Sequence, residues 1–166
     1  MNAIVAVDKN WGIGKNNDLL FHLPTDMKFF KEKTLNKIIV MGSNTLLSFP
    51  NSKPLKNRTN IVLFPNGKRD DCIVAQSLDE LKVILSQYNT EDIYIVGGAM
   101  FYRTMLEYCS NIFVTKVESD GNATVFFENL DLKINWKLVF KGDIFKADGY
   151  EISFNKYENL NVKNFK

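Results

Sequence analysis

Four stretches of this chain are apolar without alternation: Ala3-Ile4-Val5-Ala6-Val7, Lys37-Ile38-Ile39-Val40-Met41, Asn60-Ile61-Val62-Leu63-Phe64 and Ile93-Tyr94-Ile95-Val96. A strand with one wet face alternates polar and apolar residues, so unbroken runs of this length predict strands buried on both faces. Cys72-Ile73-Val74-Ala75 is a shorter run of the same kind, and Ile112-Phe113-Val114-Thr115 predicts a further strand. Helical segments separate them. Pro24 opens one at a position where its missing N–H costs nothing, followed by Met27, Phe30 and Leu35 along one side. Ser77-Leu78-Asp79-Glu80 is a capping box ahead of Leu81, Ile84, Leu85 and Tyr88. A third helix follows Gly97-Gly98 and runs through Met105 and Leu106. Strands alternating with helices predict an α/β fold, its central sheet mostly parallel and flanked by helices.

The pattern changes after Trp136. Tyr150-Glu151-Ile152-Ser153-Phe154 alternates, and Ala147-Asp148-Gly149 is a turn candidate, so residues 136–158 predict a C-terminal antiparallel β-hairpin that makes the sheet mixed. Without an internal repeat, a low-complexity tract or a compositional break, residues 1–166 read as one domain. Residues 8–23, with Asn10, Gly12, Gly14, Asn16 and Asn17, have no period and read as a loop long enough to be a functional lid.

Composition narrows the function. Lys and Arg number 21 against 19 Asp and Glu, a net charge of +2, too small for the basic field that nonspecific nucleic-acid binding needs. Cys72 and Cys109 are the only cysteines; they form no CxxC spacing and read as buried thiols, with no disulfide framework or zinc cluster. The opening residues hold only a five-residue apolar run, too short for a signal h-region or a membrane span, which places the protein in the cytoplasm. His22 is the sole histidine, so zinc, haem and Ser-His-Asp chemistry lose their main residue. A carboxylate or a cofactor is left to carry the chemistry.

Asp26 falls in the first turn of the Pro24 helix with Leu20, Phe21 and Phe30 nearby in sequence. As a mere complement to the helix dipole it should have a lowered pKa. In an apolar pocket its ionised form becomes expensive and the pKa rises, allowing it to hold a proton near neutrality. The two readings differ in sign. Gly42-Ser43-Asn44-Thr45 and Gly97-Gly98-Ala99 each lead from a predicted strand into a helix start, where free N–H groups suit a phosphate. Neither is a GxGxxG or Walker A loop, and a glycine at a strand end usually serves a tight turn. Taken alone, Arg58 reads as a solvated charge and Thr115 as a β-branched strand residue.

Trp11-Gly12-Ile13-Gly14, Leu23-Pro24-Thr25-Asp26-Met27-Lys28-Phe29-Phe30-Lys31, Val40-Met41-Gly42, Arg58-Thr59-Asn60-Ile61-Val62-Leu63 and Ile95-Val96-Gly97-Gly98 together resemble the dihydrofolate reductase family, in its order and spacing over essentially the whole chain. The resemblance implies hydride transfer from NADPH to 7,8-dihydrofolate, giving tetrahydrofolate for one-carbon metabolism and thymidylate synthesis, in a monomer. It implies a catalytic group of Asp26, Thr115, Leu20 and Phe21. Asp26 holds the pterin and promotes protonation of the ring nitrogen beside the hydride-accepting carbon. Ile4, Val5, Met27, Phe30, Phe49, Leu55 and Val96 correspond to the substrate pocket, and Arg58 to the arginine that grips the substrate's α-carboxylate. Ala6, Ile13 and Gly14 correspond to contacts around the nicotinamide, and Tyr102 to a ring beside it. Gly42, Ser43, Asn44, Thr45, Leu63, Phe64, Val96, Gly97, Gly98, Ala99, Met100 and Phe101 correspond to the rest of the cofactor site. The alternatives are a pyrimidine reductase of the same fold and a weakened folate-binding protein.

Three departures stand out. Phe21 replaces the family's tryptophan and loses its N–H, which predicts slower turnover. Ser43, Phe64 and Met100 stand where many members hold the 2′-phosphate, which predicts weakened discrimination against NADH unless Lys68 or Arg69 compensates. Thr124-Val125 takes the place of an Asp-Thr pair that contacts the active-site loop.

Overall fold

The computed structural model describes residues 1–16 and 18–165; Asn17, part of the predicted loop, lies outside them. In chain order the strands and α-helices are β1 (Asn2–Val7), β2 (Gly12–Gly14), α1 (Pro24–Thr34), β3 (Ile38–Gly42), α2 (Ser43–Ser48), β4 (Thr59–Leu63), β5 (Ile73–Ala75), α3 (Leu78–Leu85), β6 (Ile93–Ile95), α4 (Ala99–Met105), β7 (Asn111–Val117), β8 (Val125–Phe126), β9 (Trp136–Lys141), β10 (Phe145–Ala147) and β11 (Tyr150–Asn159). The main sheet runs β5-β4-β3-β6-β1-β7-β11-β10, with β9 also on β11. Pairings from β5 to β7 are parallel, while β11 pairs antiparallel with β7, β9 and β10.

Local chemistry explains the helices. Pro24 stands in the first turn of α1, with Asp26 in that turn and Lys31 and Lys33 in the last, each sign complementing its end of the helix dipole. Leu35 lies just past the helix and is partly exposed. Ser77 caps α3 by accepting from the Glu80 N–H at 3.1 Å. The Glu80 carboxylate answers one residue earlier than a standard capping box, at the Gln76 N–H (3.0 Å).

Connection direction then decides the faces. Right-handed crossovers β1→β3 and β3→β4 run toward one edge, putting α1 and α2 on one face, whereas β5→β6 and β6→β7 run back and put α3 and α4 on the other. The core divides accordingly. Val5, Val7, Leu81, Leu85, Phe101, Tyr102 and Met105 pack on one side, and Ile4, Ile39, Met41, Leu46 and Val62 on the other, with Phe29, Phe30, Phe49 and Leu55 against them. A third cluster, Leu23, Val117 and Ile152 with Phe21, Tyr150 and Phe154, lies under the C-terminal strands.

Three expectations need correction. The segment 8–23 is not all loop: β2 within it pairs antiparallel with β8, a pair too short to show a period. Cys109 is buried but Cys72 is partly exposed, because it adjoins the three-residue edge strand β5. The C-terminal hairpin is β10–β11, turning at Asp148 and Gly149, and the ten-residue β11 is long enough to take β9 on its second half. Gly142 makes the handover, because a Cβ there would strike the Phe154 carbonyl.

Candidate active site

The parallel strands all end on one edge, where open α/β sheets bind ligands. β1 and β6 stay paired only through Asn2↔Tyr94 and Ala3↔Ile95. Beyond that point β1 continues with β7 alone, Ala6 opposite Thr115, so a gap opens beside Ile4. The Ile4 carbonyl accepts the Tyr102 hydroxyl at 2.6 Å. Tyr102 is buried edge-on to Phe127, and burial pushes its phenol up, keeping it a neutral donor.

Asp26 stands on the α1 face of this gap. Thr115 donates to its Oδ1 at 2.6 Å, a bond between residues 89 positions apart that exists because α1 crosses the β1–β7 pair. Burial raises the Asp26 pKa, and the Thr115 hydrogen bond offsets only part of the rise. The direction is the one an apolar pocket requires, opposite to that of a simple dipole complement. Ile4, Phe30, Phe49, Leu55 and Val96 belong to one apolar cluster on this face. Two expected wall residues do not. Met27 is 53% exposed, and Val5 packs on the α3–α4 face with Val7, since strand side chains alternate. Val5 offers this side only its backbone.

Leu20 and Phe21 meet the 119–122 loop: a Cβ on Gly121 would lie 2.9 Å from Leu20 Cδ1 and 3.1 Å from Phe21 Cζ. The Phe21 ring sits edge-on to Tyr150, centroids 4.8 Å apart, a neighbour not anticipated from sequence. Thr124 meets the active-site segment through its backbone, donating to the Gly14 carbonyl at 3.0 Å. Val125 pairs in the β2–β8 ladder, so main-chain bonds join these two segments. Ile13 packs against the core on the α3–α4 side, and Ala6 and Gly14 are partly exposed.

The two glycine turns lie side by side because β3 pairs with β6. The Gly42 N–H donates to the Gly97 carbonyl at 2.9 Å. Gly42 and Gly98 are the N-caps of α2 and α4, neither with a side-chain cap, leaving the N–H groups of Ser43, Asn44, Thr45, Ala99, Met100 and Phe101 for a ligand. Gly97 has φ +136°, and a Cβ there would lie 3.0 Å from Thr45 Oγ1. Only glycine combines that dihedral with that approach. These paired, uncapped turns fit a diphosphate. Phe101 points into the core, so its share is its N–H. Leu63 ends β4 and Phe64 follows it beside the same edge, with the Phe64 ring lying over Gly67.

Ser43, Phe64 and Met100, expected from the resemblance to meet a 2′-phosphate, carry no positive charge. Met100 is exposed, and Arg69 is occupied elsewhere. Its Nε and Nη2 grip the Asp71 carboxylate at 2.9 and 2.7 Å, and Nη2 also donates to the Ser52 carbonyl at 2.8 Å.

Arg58 stands apart from a solvated charge: its Nε is buried and has no hydrogen-bond partner among the described residues. Asn60 fixes the turn that carries it, donating to the Leu55 and Arg58 carbonyls and accepting from the Leu55 N–H. A cleft of about 730 Å³ runs beside it between residues 53–60 and 70–73. An unsatisfied, pre-positioned fork suits a carboxylate. Among the described residues no cluster of His, Cys, Asp or Glu could hold a metal ion.

Comparison with known proteins gives one family. Residues 1–159 match the family model for dihydrofolate reductase. The chain is 38% identical over 157 residues to a dihydrofolate reductase of Buchnera aphidicola (93% of this chain, 96% of the relative). It is 35% identical over 165 residues to that of Bacillus subtilis (97% and 95%). Its fold matches the dihydrofolate reductase of Enterococcus faecalis, solved with NADP(H) and RAB-propyl, with a TM-score of 0.82 and 29% identity over 95% of each chain. By the family model over residues 1–159 and by these relatives, the chain belongs to the dihydrofolate reductase family.

Proposed function

We propose that this protein reduces 7,8-dihydrofolate to 5,6,7,8-tetrahydrofolate at the expense of NADPH. One observation carries the reading: a single carboxyl group, Asp26, is held by Thr115 at 2.6 Å in a site where burial raises its pKa. Bound NADPH would supply the hydride for the C=N bond of the pterin. Asp26 orients the ring and keeps a proton available for the nitrogen beside the accepting carbon, which makes that carbon a better hydride acceptor. Thr115 fixes the carboxyl plane. Ile4, Phe30, Phe49, Leu55 and Val96 exclude water from the substrate, and Arg58 takes its α-carboxylate, satisfying the buried Nε. The uncapped N–H groups after Gly42 and Gly98 hold the cofactor diphosphate.

The engagement of Arg69 with Asp71 and Ser52 leaves Lys68 as the candidate cation for the 2′-phosphate. We therefore infer that NADPH is favoured only weakly and that NADH also serves. Two free cysteines, one of them buried, support a cytoplasmic protein, and residues 1–166 act as one domain and as a monomer. Among the described residues no helix is long and apolar enough to cross a membrane.

The test follows NADPH absorbance with dihydrofolate, beside Asp26→Asn and a parallel NADH trace. Wild-type consumption that largely stops in the variant at neutral pH is expected. Dihydrofolate binding without consumption would instead mark a folate-binding protein that has lost turnover.

A further inference from the structure

Asp8 directly follows β1 and is only 2% exposed, and among the described residues it has no cationic partner. Its two carboxylate oxygens instead accept three backbone N–H groups. Oδ1 takes those of Asn10 (2.8 Å) and Gly12 (2.7 Å), and Oδ2 takes that of Gly121 (3.0 Å). These donors replace the water that burial removes. The Oδ1 bonds close a local turn, also tied by the Trp11 N–H to the Asp8 carbonyl (3.0 Å), as an Asx motif does. The Oδ2 bond crosses 113 residues to another loop. On its far side Gly121 lies directly against Leu20 and Phe21, where even a Cβ would be crowded. A second strut, the Lys9 N–H to the Ser119 carbonyl at 3.2 Å, runs parallel to it.

We propose that Asp8 is a positioning residue for the reduction. Its carboxylate fastens the 119–122 loop to the root of the 8–23 segment, and through Gly121 this sets where Leu20 and Phe21 stand. The proposal rests on the reductase reading given above. One side chain thus closes the segment on itself through Oδ1 and braces its distal end through Oδ2.

Asp8→Asn separates the two jobs. The amide oxygen can keep the Asn10 and Gly12 N–H groups, while the NH2 replaces Oδ2 and faces the Gly121 N–H without bonding it. Single-turnover reduction with NADPH and its 4-deuterated form, against dihydrofolate binding and amide exchange, reads the result. Hydride transfer should slow about tenfold, the factor that one lost charge-assisted bond represents, with the dihydrofolate Kd nearly unchanged and Gly121 exchange accelerated. An unchanged hydride-transfer rate with only a lower Tm would make Asp8 purely structural and overturn the proposal. Should Asp8→Asn fail to fold, exchange in the wild type decides. A protected Gly121 amide supports the fastening, and exchange at the rate of a free peptide refutes it. A wild type that turns over no dihydrofolate overturns the functional reading and the kinetic half of the proposal, while Gly121 exchange still judges the fastening.

Discussion

Replacing Thr115 with valine removes one hydroxyl and almost no volume at a position 1% exposed. The lost group is the donor to Asp26 Oδ1 at 2.6 Å. A hydrogen bond to a charged acceptor contributes about 1.5–3 kcal/mol, one to a neutral acceptor about 1 kcal/mol. The ionised acid therefore loses roughly 1.4 kcal/mol more than the protonated one, equivalent to about one pH unit. Burial already raises the Asp26 pKa and the Thr115 bond opposes it, so Thr115→Val moves the acid further up. If protonated Asp26 supports the rate, the alkaline fall of kcat/KM shifts to higher pH by about one unit, even as the maximum rate drops. Stability shows the same sign. A carboxyl raised by folding contributes stability in full below its unfolded value, and that contribution is lost as pH rises through the folded value. The variant's deficit against wild type in urea unfolding should therefore grow from acid to neutral pH by roughly 1.4 kcal/mol. A kcat/KM profile that stays in place or moves to lower pH would refute the coupling between Thr115 and the titration of Asp26.

Phe21→Trp restores an indole N–H beside Tyr150 and should raise turnover in steady-state assays; an unchanged or lower rate would mean that Gly121 leaves the larger ring no room. The ratio of kcat/KM for NADPH over NADH should stay within about tenfold, a single interaction's worth. Lys68→Ala should reduce it and Arg69→Ala should not, so a loss on removing Arg69 would show that it leaves Asp71 for the cofactor. Arg58→Lys keeps the charge but not the fork, and KM for dihydrofolate should rise about tenfold or more with kcat less affected. Asp148, in the β10–β11 turn, accepts the Thr25 N–H at 2.9 Å and so caps α1 from the far end of the chain. Asp148→Ala should cost about 1 kcal/mol in chemical denaturation, and no measurable cost would mean that water serves as well.

Much of the architecture is legible from local chemistry. Unalternating apolar runs mark strands buried on both faces, Pro24 and Ser77 mark helix starts, and the alternation around Ile152 marks an antiparallel strand, because each depends on a residue and its near neighbours. What failed was short or at an edge. The three-residue β2 has no period to detect, and the partial exposure of Cys72 follows from β5 lying at the sheet edge. Asp8 offered a faint signal, an aspartate directly after a buried strand, the residue type that binds the N–H two positions on in an Asx turn.

The site divides along the same line. By itself the sequence determined which groups exist: one acid in a helix's first turn, two glycine turns after strands, an arginine before a strand, and no basic residue at the positions expected to hold the phosphate. Tertiary structure alone decided what they do. Pairing of β3 with β6 sets the glycine turns side by side, and α1 crossing β1 and β7 joins Asp26 to Thr115. Alternation along β1 turns Val5 away, and Asp71 and Ser52 claim Arg69. Hydrogen bonds and desolvation act over about 3 Å, whereas the partners lie scores of residues apart, so only the folded chain can bring them within reach.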